Sequence, residues 1–268
     1  MGLVLGWVAY SPDNNVHVIA CDVGQGDGIL IQQAQTQILI DGGPDEAVLS
    51  CLSRHMPFWD REVELVVLTN GDADHVTGLI EVVKRYQVGK LVTNDLIKDT
   101  DRFRLFEEVV QERGVEKYAP KVGDQIKVGD LRFDVLWPNE AVLGSSTMYS
   151  ANKGNEQSVV VKLSYGEFDV LLTGDIGEET EDKLMGLSEV EVLKVGHHGS
   201  RYSSSSEFLE RVSPQVAVIS AGEKNNYGHP APDALQRLEA VGAQILRTDE
   251  LGDVEIVSDG QRYWIVDR

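Results

Sequence analysis

The chain has 268 residues, 44 acidic against 24 basic, and a formal net charge of −20. Hydrophobic residues make up 42% and charged residues 25%, and no apolar run reaches the ~18 residues that a membrane-spanning helix needs. These figures exclude a fibre, a membrane-spanning fold over this stretch, and a miniprotein built on disulfides, since Cys21 and Cys51 are its only cysteines. The pair leaves the redox compartment open. Acidity this strong repels polyanions, so a phosphate-bearing substrate requires a bound cation or a local basic cluster.

Residues 1–10 (MGLVLGWVAY) are apolar and uncharged, too short to cross a bilayer and without the flanks of a signal peptide. They read as a first strand or as the end of a longer hydrophobic segment in a larger parent protein, and residues 1–15 are set apart from a domain spanning 16–268. Residues 16–23, 29–33 and 38–40 are β-branched runs between Gly-rich or polar turns and predict strands. Residues 45–55 have helical periodicity. Residues 63–69 (VELVVLT) are almost continuously apolar, the pattern of a strand covered on both faces. A helix over 76–86, a strand over 90–93 and a helix over 102–113 follow. Residues 125–128 and 131–136 predict a hairpin turned at Gly129-Asp130. The loop 138–155, rich in Gly, Ser and Asn, marks either a boundary between halves or a flap.

Beyond that loop the style repeats. Strands are expected at 158–164, 168–172, 190–195, 215–220, 244–247, 254–257 and 263–266, and helices at 178–185, 205–212 and 232–241. No repeat of solenoid length is present. Two β-rich halves with helices after their strands predict two packed sheets with helices outside, a layered α/β sandwich.

Polar clusters stand where the apolar strands end. Thr69-Asn70-Gly71-Asp72-Ala73-Asp74-His75 offers carboxylates, an amide and an imidazole just before a helix. Hard oxygen donors with one nitrogen suit a divalent cation, while an Asp before a helix also serves as its N-cap. Thr173-Gly174-Asp175 follows FDVLL and, alone, reads as a turn. Gly196-His197-His198-Gly199-Ser200 closes another apolar run. Adjacent imidazoles between glycines fit a ligand or proton-transfer role better than a core or surface one. The run Ser203 to Ser206 reads equally as a phosphate seat ahead of a helix or as its cap. Tyr227-Gly228-His229-Pro230 alone is a rigid turn, and His17 and His55 are structural. Asp99-Thr100-Asp101 lacks the Gly and Glu of a calcium loop and reads as a helix cap. The four tryptophans are dispersed and form no base-stacking platform.

Taken in order, the pieces resemble the metallo-β-lactamase fold. More narrowly, they resemble the soluble domain of ComEC-type competence proteins, which internalise DNA, and their stand-alone relatives. The motifs that carry the resemblance are Asp22-Val23-Gly24-Gln25-Gly26-Asp27, Ile40-Asp41-Gly42-Gly43, Asp72-Ala73-Asp74-His75, Leu172-Thr173-Gly174-Asp175, Lys194-Val195-Gly196-His197-His198-Gly199-Ser200, Tyr227-Gly228-His229-Pro230 and Arg247-Thr248-Asp249. They run from about residue 16 to the end of the chain.

The resemblance implies a four-layer αββα sandwich whose metals sit where the two β halves meet. It implies Asp74 and His75 as ligands of the second metal position and Asp175 as the carboxylate between metals. His197 completes that set, with His198 as the other choice and otherwise free to contact phosphate or shuttle a proton. Asp74, His198 and His229 are the catalytic candidates, and Asn155, Lys194, Ser200, Arg201, Tyr227 and His229 the candidates for substrate binding. The first metal position departs from the superfamily, which places two His there, because Asn70 and Asp72 stand in their places. Asp72 is ordinary for the ComEC branch and Asn70 is not. The third ligand is His in other branches, and its nearest equivalent here is Asn155, with Ser158 nearby. So one position is well furnished and the other poor, and the oxygen-rich set shifts preference from zinc toward manganese or magnesium.

The implied activity is metal-assisted hydrolysis of DNA phosphodiesters, with one or two divalent ions (Mn, Zn or Mg) and a membrane channel domain in the parent protein as partner. In that setting the domain is extracytoplasmic and membrane-associated, and otherwise soluble. Two further readings stay open. Asn70 motivates a degenerate, non-catalytic domain that guides DNA or a partner protein. A pocket closed by the loop 138–155 would indicate a hydrolase of small phosphodiesters. A lactamase or glyoxalase fits least, because the fuller His set is missing.

Overall fold

The computed structural model describes residues 13–94, 100–139 and 155–267. The apolar residues 1–10 and the interior of the loop 138–155 lie outside the described residues.

The first half supplies β1 (Val16–Ala20), β2 (Ile29–Gln33), β3 (Thr36–Ile40), α1 (Ala47–His55), β4 (Glu62–Leu68), α2 (Ala73–Arg85), β5 (Gln87–Thr93), α3 (Asp101–Arg113), β6 (Glu116–Tyr118), β7 (Gln125–Val128) and β8 (Leu131–Trp137). The second half supplies β9 (Val160–Tyr165), β10 (Phe168–Leu172), α4 (Glu178–Glu181), β11 (Val192–Lys194), α5 (Ser206–Val212), β12 (Val216–Ile219), α6 (Pro232–Ala240), β13 (Gln244–Arg247), α7 (Thr248–Leu251), β14 (Val254–Ser258) and β15 (Tyr263–Ile265). One sheet has the order β15-β14-β1-β2-β3-β4-β5-β6 and the other β13-β12-β11-β10-β9-β8-β7.

Side-chain alternation explains the layering. In β1, Val16 and Val18 face the other sheet, while Ile19 and the following Cys21 face the helices. Ile31, Ile40 and Val67 of the first sheet meet Phe133, Leu163 and Leu172 of the second in one apolar layer. On the outer faces, Leu52, Leu79 and Phe106 cover the first sheet, and Phe208, Leu209 and Leu238 cover the second. The result is the expected αββα sandwich.

The halves are less separate than the sequence suggests. The hairpin at Gly129-Asp130 forms, but β7 and β8 join the second sheet, and β14 and β15 return to the first beside β1. The strand expected over 16–23 stops at Ala20, and the helix expected over 178–185 is helical only from Glu178 to Glu181. Thr100 does cap α3, accepting from the Phe103 amide. No helix among the described residues is long and apolar enough to cross a membrane.

α2 packs directly on the turn after β3. The Gly42 amide donates to the His75 carbonyl at 2.7 Å, and a Cβ on Gly78 would lie 1.9 Å from the Gly42 carbonyl oxygen. Only glycine lets the two backbones approach so closely. Gly78→Ala is therefore expected to cost about 3 kcal/mol or more, read as a lowered urea midpoint.

A second fastening joins β1, α1 and β14. Cys21 and Cys51 form a disulfide with Cα atoms 5.8 Å apart, tying the end of β1 to α1. Beside it, the Asp253 carboxylate accepts from the Asp22 amide, from Arg54 and from His55 Nε2, the last at 3.0 Å. His17 pairs with Glu255 at 2.8 Å, so both histidines expected to be structural hold the chain's end to its beginning. Burial alone would raise the Asp253 pKa, but His55, the Asp22 amide and Arg54 together hold it well below the usual carboxylate range. A carboxyl depressed by folding contributes stability that is fully present above its unfolded pKa of about 3.9. That contribution is lost as pH falls through the lower folded value. Asp253→Asn should thus lower stability at neutral pH by about 2 kcal/mol, and its urea midpoint should converge with wild type as pH drops toward about 2.

Candidate functional site

The strand ends of both sheets meet at one edge of the sandwich. β3 is followed by Asp41, which takes a left-handed conformation (φ 58°) and is fully buried. Its carboxylate accepts from the Thr69 amide at 2.8 Å, the Thr69 hydroxyl at 2.6 Å and His75 Nδ1 at 2.8 Å. The far nitrogen of His75, Nε2, lies 3.1 Å from Asp175 Oδ2, at the end of β10. Burial alone would lower the His75 pKa, but Asp175 and Asp41 more than offset it and hold it well above the ordinary imidazole value.

The second sheet supplies the opposite wall. His197 and His198 both adopt left-handed backbone, at φ 48° and 54°. Two such non-glycine residues in succession are strained, a conformation that persists where the surroundings over-determine it. The twist sends the two rings apart, with centroids 6.2 Å from each other. His198 turns inward: its Nε2 lies 3.5 Å from both Asp74 Oδ2 and Asp175 Oδ1, and its Nδ1 bonds the Ser220 carbonyl at 3.0 Å. Burial opposes protonation of His198, but Asp175 and Asp27 raise its pKa well above the ordinary value. Asp175 moves the other way, below the usual carboxylate range, because His75 and His198 overcome the effect of its burial.

Asp74, His75, Asp175 and His198 therefore bring ligand atoms within 4.8 Å of one another. Of the two choices left by the sequence, this geometry favours His198 over His197 as the fourth member of the set. His197 Nε2 instead lies 3.2 Å from Asn155 Nδ2, and its ring is 5.6 Å from that of His229. The donor set fits a divalent cation. His198 Nε2 and Asp175 Oδ1 are buried and have no hydrogen-bond partner, a costly state for polar atoms unless a further group binds between them.

A cavity of about 190 Å³ opens over this cluster. Its wall carries Asp72, Asp74 and Asp175 with Asn155, His197, His198, Tyr227 and His229, and also Gln25. Most candidates thus converge. Tyr227 is 72% exposed and stacks against His229 with ring centroids 5.8 Å apart. Burial, with His197 and His198 nearby, pushes the His229 pKa down to about 4. Asn70 is buried beneath the wall, where its Oδ1 accepts from the Asp72 amide at 2.8 Å and its Nδ2 meets Ser158 Oγ at 3.4 Å. The amide that stands where a His ligand is expected thus knits two loops together.

Three expectations for substrate binding are corrected. Lys194 is only 2% exposed; its ammonium pairs with Asp27 at 2.8 Å and donates to the Val195 carbonyl, so it faces the interior. Ser200 is buried and accepts from the Tyr202 amide, and Arg201 lies outside the cavity wall. The seat expected near Ser203 to Ser206 is filled from within, because the buried Glu181 carboxylate accepts from the Ser204 and Ser205 amides. An internal anion takes the place a phosphate would need.

The orienting carboxylates Asp27 and Asp41 stand in two of the motifs, but residue type alone assigns them no role. Asp27 is buried, its amide donates to the Asp74 carbonyl at 3.2 Å, and its Oδ1 lies 3.3 Å from His198 Nδ1. The signal is chemical: an Asp beside buried strands needs a cationic or donor partner.

The comparisons agree with this geometry. A family model for the metallo-β-lactamase superfamily matches residues 21–223. The ComE operon protein 3 of Bacillus subtilis is 29% identical over 276 residues, covering 95% of this chain and 34% of that protein. The competence protein ComA of Neisseria gonorrhoeae is 29% identical over 262 residues, covering 94% of this chain and 34% of that protein. The chain thus spans about a third of the length of these relatives. Among solved structures, the metallo-β-lactamase fold protein YhfI from Bacillus subtilis superposes with a TM-score of 0.58 at 11% identity, covering 92% of this chain and 99% of that one. A diphosphatase of the PhnP family gives 0.53 at 16%, covering 90% and 98%. With three quarters of its length matched by the family model and its strand ends gathered into a carboxylate–imidazole cluster, the chain belongs to the metallo-β-lactamase superfamily.

Proposed function

We propose that this domain is a metal-dependent phosphodiester hydrolase acting on DNA, as part of a competence-type uptake protein. The observation that carries the reading is the pair of bare buried atoms, His198 Nε2 and Asp175 Oδ1, facing each other between His75 and Asp74. Asp74, His75, Asp175 and His198 would hold the cation. Such an ion lowers the pKa of a water molecule from about 15.7 toward 7 and offsets charge on a phosphoryl oxygen.

The chain's own groups supply the rest. Asp41 fixes His75 through Nδ1, and Asp27 with the Ser220 carbonyl faces Nδ1 of His198, so both imidazoles present Nε2 to the cluster. His229, neutral at physiological pH, would donate a ring N–H to the phosphate or, through its other ring nitrogen, take up a proton and become an imidazolium. Asn155 and His197 line the same wall as neutral hydrogen-bonding groups. With Asp72, Asp74 and Asp175 around the mouth, a phosphodiester enters only once a cation is held. The membrane channel partner and an extracytoplasmic location rest on the similarity to the longer competence proteins. A Cys21–Cys51 disulfide supports an oxidising compartment.

The test is hydrolysis of single- and double-stranded DNA with Mn²⁺, Mg²⁺ or Zn²⁺. Metal-dependent cleavage, stopped by chelation and restored by the ion, is the expected result. Folded protein inactive with every metal overturns the reading. The engagement of Asn70 in its own turn favours a second reading, a degenerate domain whose first metal position is unserviceable. Asn70→His should then increase metal uptake, and robust hydrolysis by wild type would remove that alternative.

A further inference from the structure

The disulfide lies next to two more metal-competent side chains. Cys51 and His55 sit four residues apart on α1, hence on one face of the helix. Ligand atoms of Cys51, His55 and Asp253 lie within 4.8 Å of one another. We propose that Cys51, His55 and Asp253, with the adjoining Cys21 as fourth donor, form a zinc site when the Cys21–Cys51 disulfide is reduced.

Geometry, burial and charge support this. His55 Nε2 and Asp253 Oδ2 are 3.0 Å apart, close to the ~3.3 Å edge of a tetrahedron with zinc bonds of about 2.0 Å. A zinc ion takes the place of the proton they now share. Both cysteines are fully buried, and the side chains of His55 and Asp253 are 2% and 5% exposed. Two thiolates, one carboxylate and a zinc ion sum to a single negative charge. The Arg54 guanidinium, already bonded to both Asp253 oxygens, neutralises it. Thiolate sulfur selects zinc over manganese or magnesium, so this site differs in chemistry from the oxygen-rich cluster between the sheets.

The redox step balances with a dithiol as reductant. The dithiol delivers two electrons and two protons, the S–S bond breaks, two thiols form and the reductant closes its own disulfide. Zinc then displaces the two thiol protons to solvent, and the proton on His55 Nε2 moves to Nδ1, so that the neutral ring offers Nε2 to the ion. The ion ties the same segments that the disulfide and Asp253 now join, so the base of the loop from Asp22 to Asp27 stays anchored in either redox state.

The experiment loads the full chain with Co²⁺ anaerobically, after reduction by a dithiol that is then removed and, separately, after oxidation. The cluster between the sheets has no sulfur ligand, so sulfur-to-cobalt charge-transfer absorption reports this site alone. Reduced wild type should show that absorption and retain one more ion per chain than oxidised protein. His55→Asn and Asp253→Asn should each weaken the band's cobalt affinity by about tenfold or more. Both variants keep their cysteines, so disulfide formation and circular dichroism of the oxidised forms verify folding. Absence of the band in reduced wild type, or a band that either substitution leaves unchanged, overturns the proposal.

Discussion

Replacing His198 with alanine is expected to lower Mn²⁺ affinity by more than ~100-fold and to abolish metal-dependent hydrolysis. Loss of a direct ligand should exceed the 10–100-fold cost usual for groups that merely orient one. The basis is that His198 Nε2 faces both Asp74 and Asp175 at 3.5 Å. His197→Ala should leave metal affinity within about tenfold of wild type, because its ring turns toward Asn155 and His229. Its effect should fall on hydrolysis. Calorimetric titration of both variants with Mn²⁺ separates the two. The opposite order of losses would return His197 to the ligand role and displace His198 from it.

The second large effect concerns Asp27. Its carboxylate holds Lys194 and sits beside His198 Nδ1, and both side chains of the ion pair are buried. Asp27→Ala leaves an uncompensated ammonium in the interior, at an expected cost of about 3–5 kcal/mol. It also removes one of the two oxygens that hold His198 Nδ1, lowering metal affinity by about 10–100-fold. The double variant Asp27→Leu with Lys194→Met removes both charges and should recover most of the stability. It should not recover metal affinity, because of the two oxygens facing Nδ1 only the Ser220 carbonyl remains. Urea unfolding and metal titration on the same samples measure the two effects independently. Recovery of both would reduce Asp27 to a partner for Lys194 alone.

Much of the sandwich could be read from periodicity, because strands such as β1 and β4 bury alternating or continuous apolar faces. β6 could not: its three residues are all exposed, and backbone pairing with β5 together with surface contacts such as Lys90–Glu116 and Lys117–Glu107 keeps it in the sheet. The same gap hides the allegiance of β14 and β15, since a strand's own pattern does not say which sheet it joins. For the site, Asp74, His75 and Asp175 follow from residue type at a strand end. The choice between His197 and His198 does not, because it depends on two consecutive left-handed residues. Lys194 looked available to substrate because its partner, Asp27, is far away in the chain. The serine run looked like an anion seat because nothing local reveals that Glu181 occupies it.

The return of β14 to the side of β1 sets a timetable for biogenesis. Val16 pairs with Ser258, and His17 with Glu255 across a separation of 238 residues. At translation rates of roughly 5–20 residues per second, β1 leaves the peptidyl-transferase centre on the order of 10–50 s before its neighbour exists. Throughout that interval one rim of the first sheet offers unsatisfied amides and carbonyls to other nascent chains. Closure of this edge therefore waits until β14 has left the ribosome, and a stop codon only a little upstream of Val254 would leave the sheet with no closing strand.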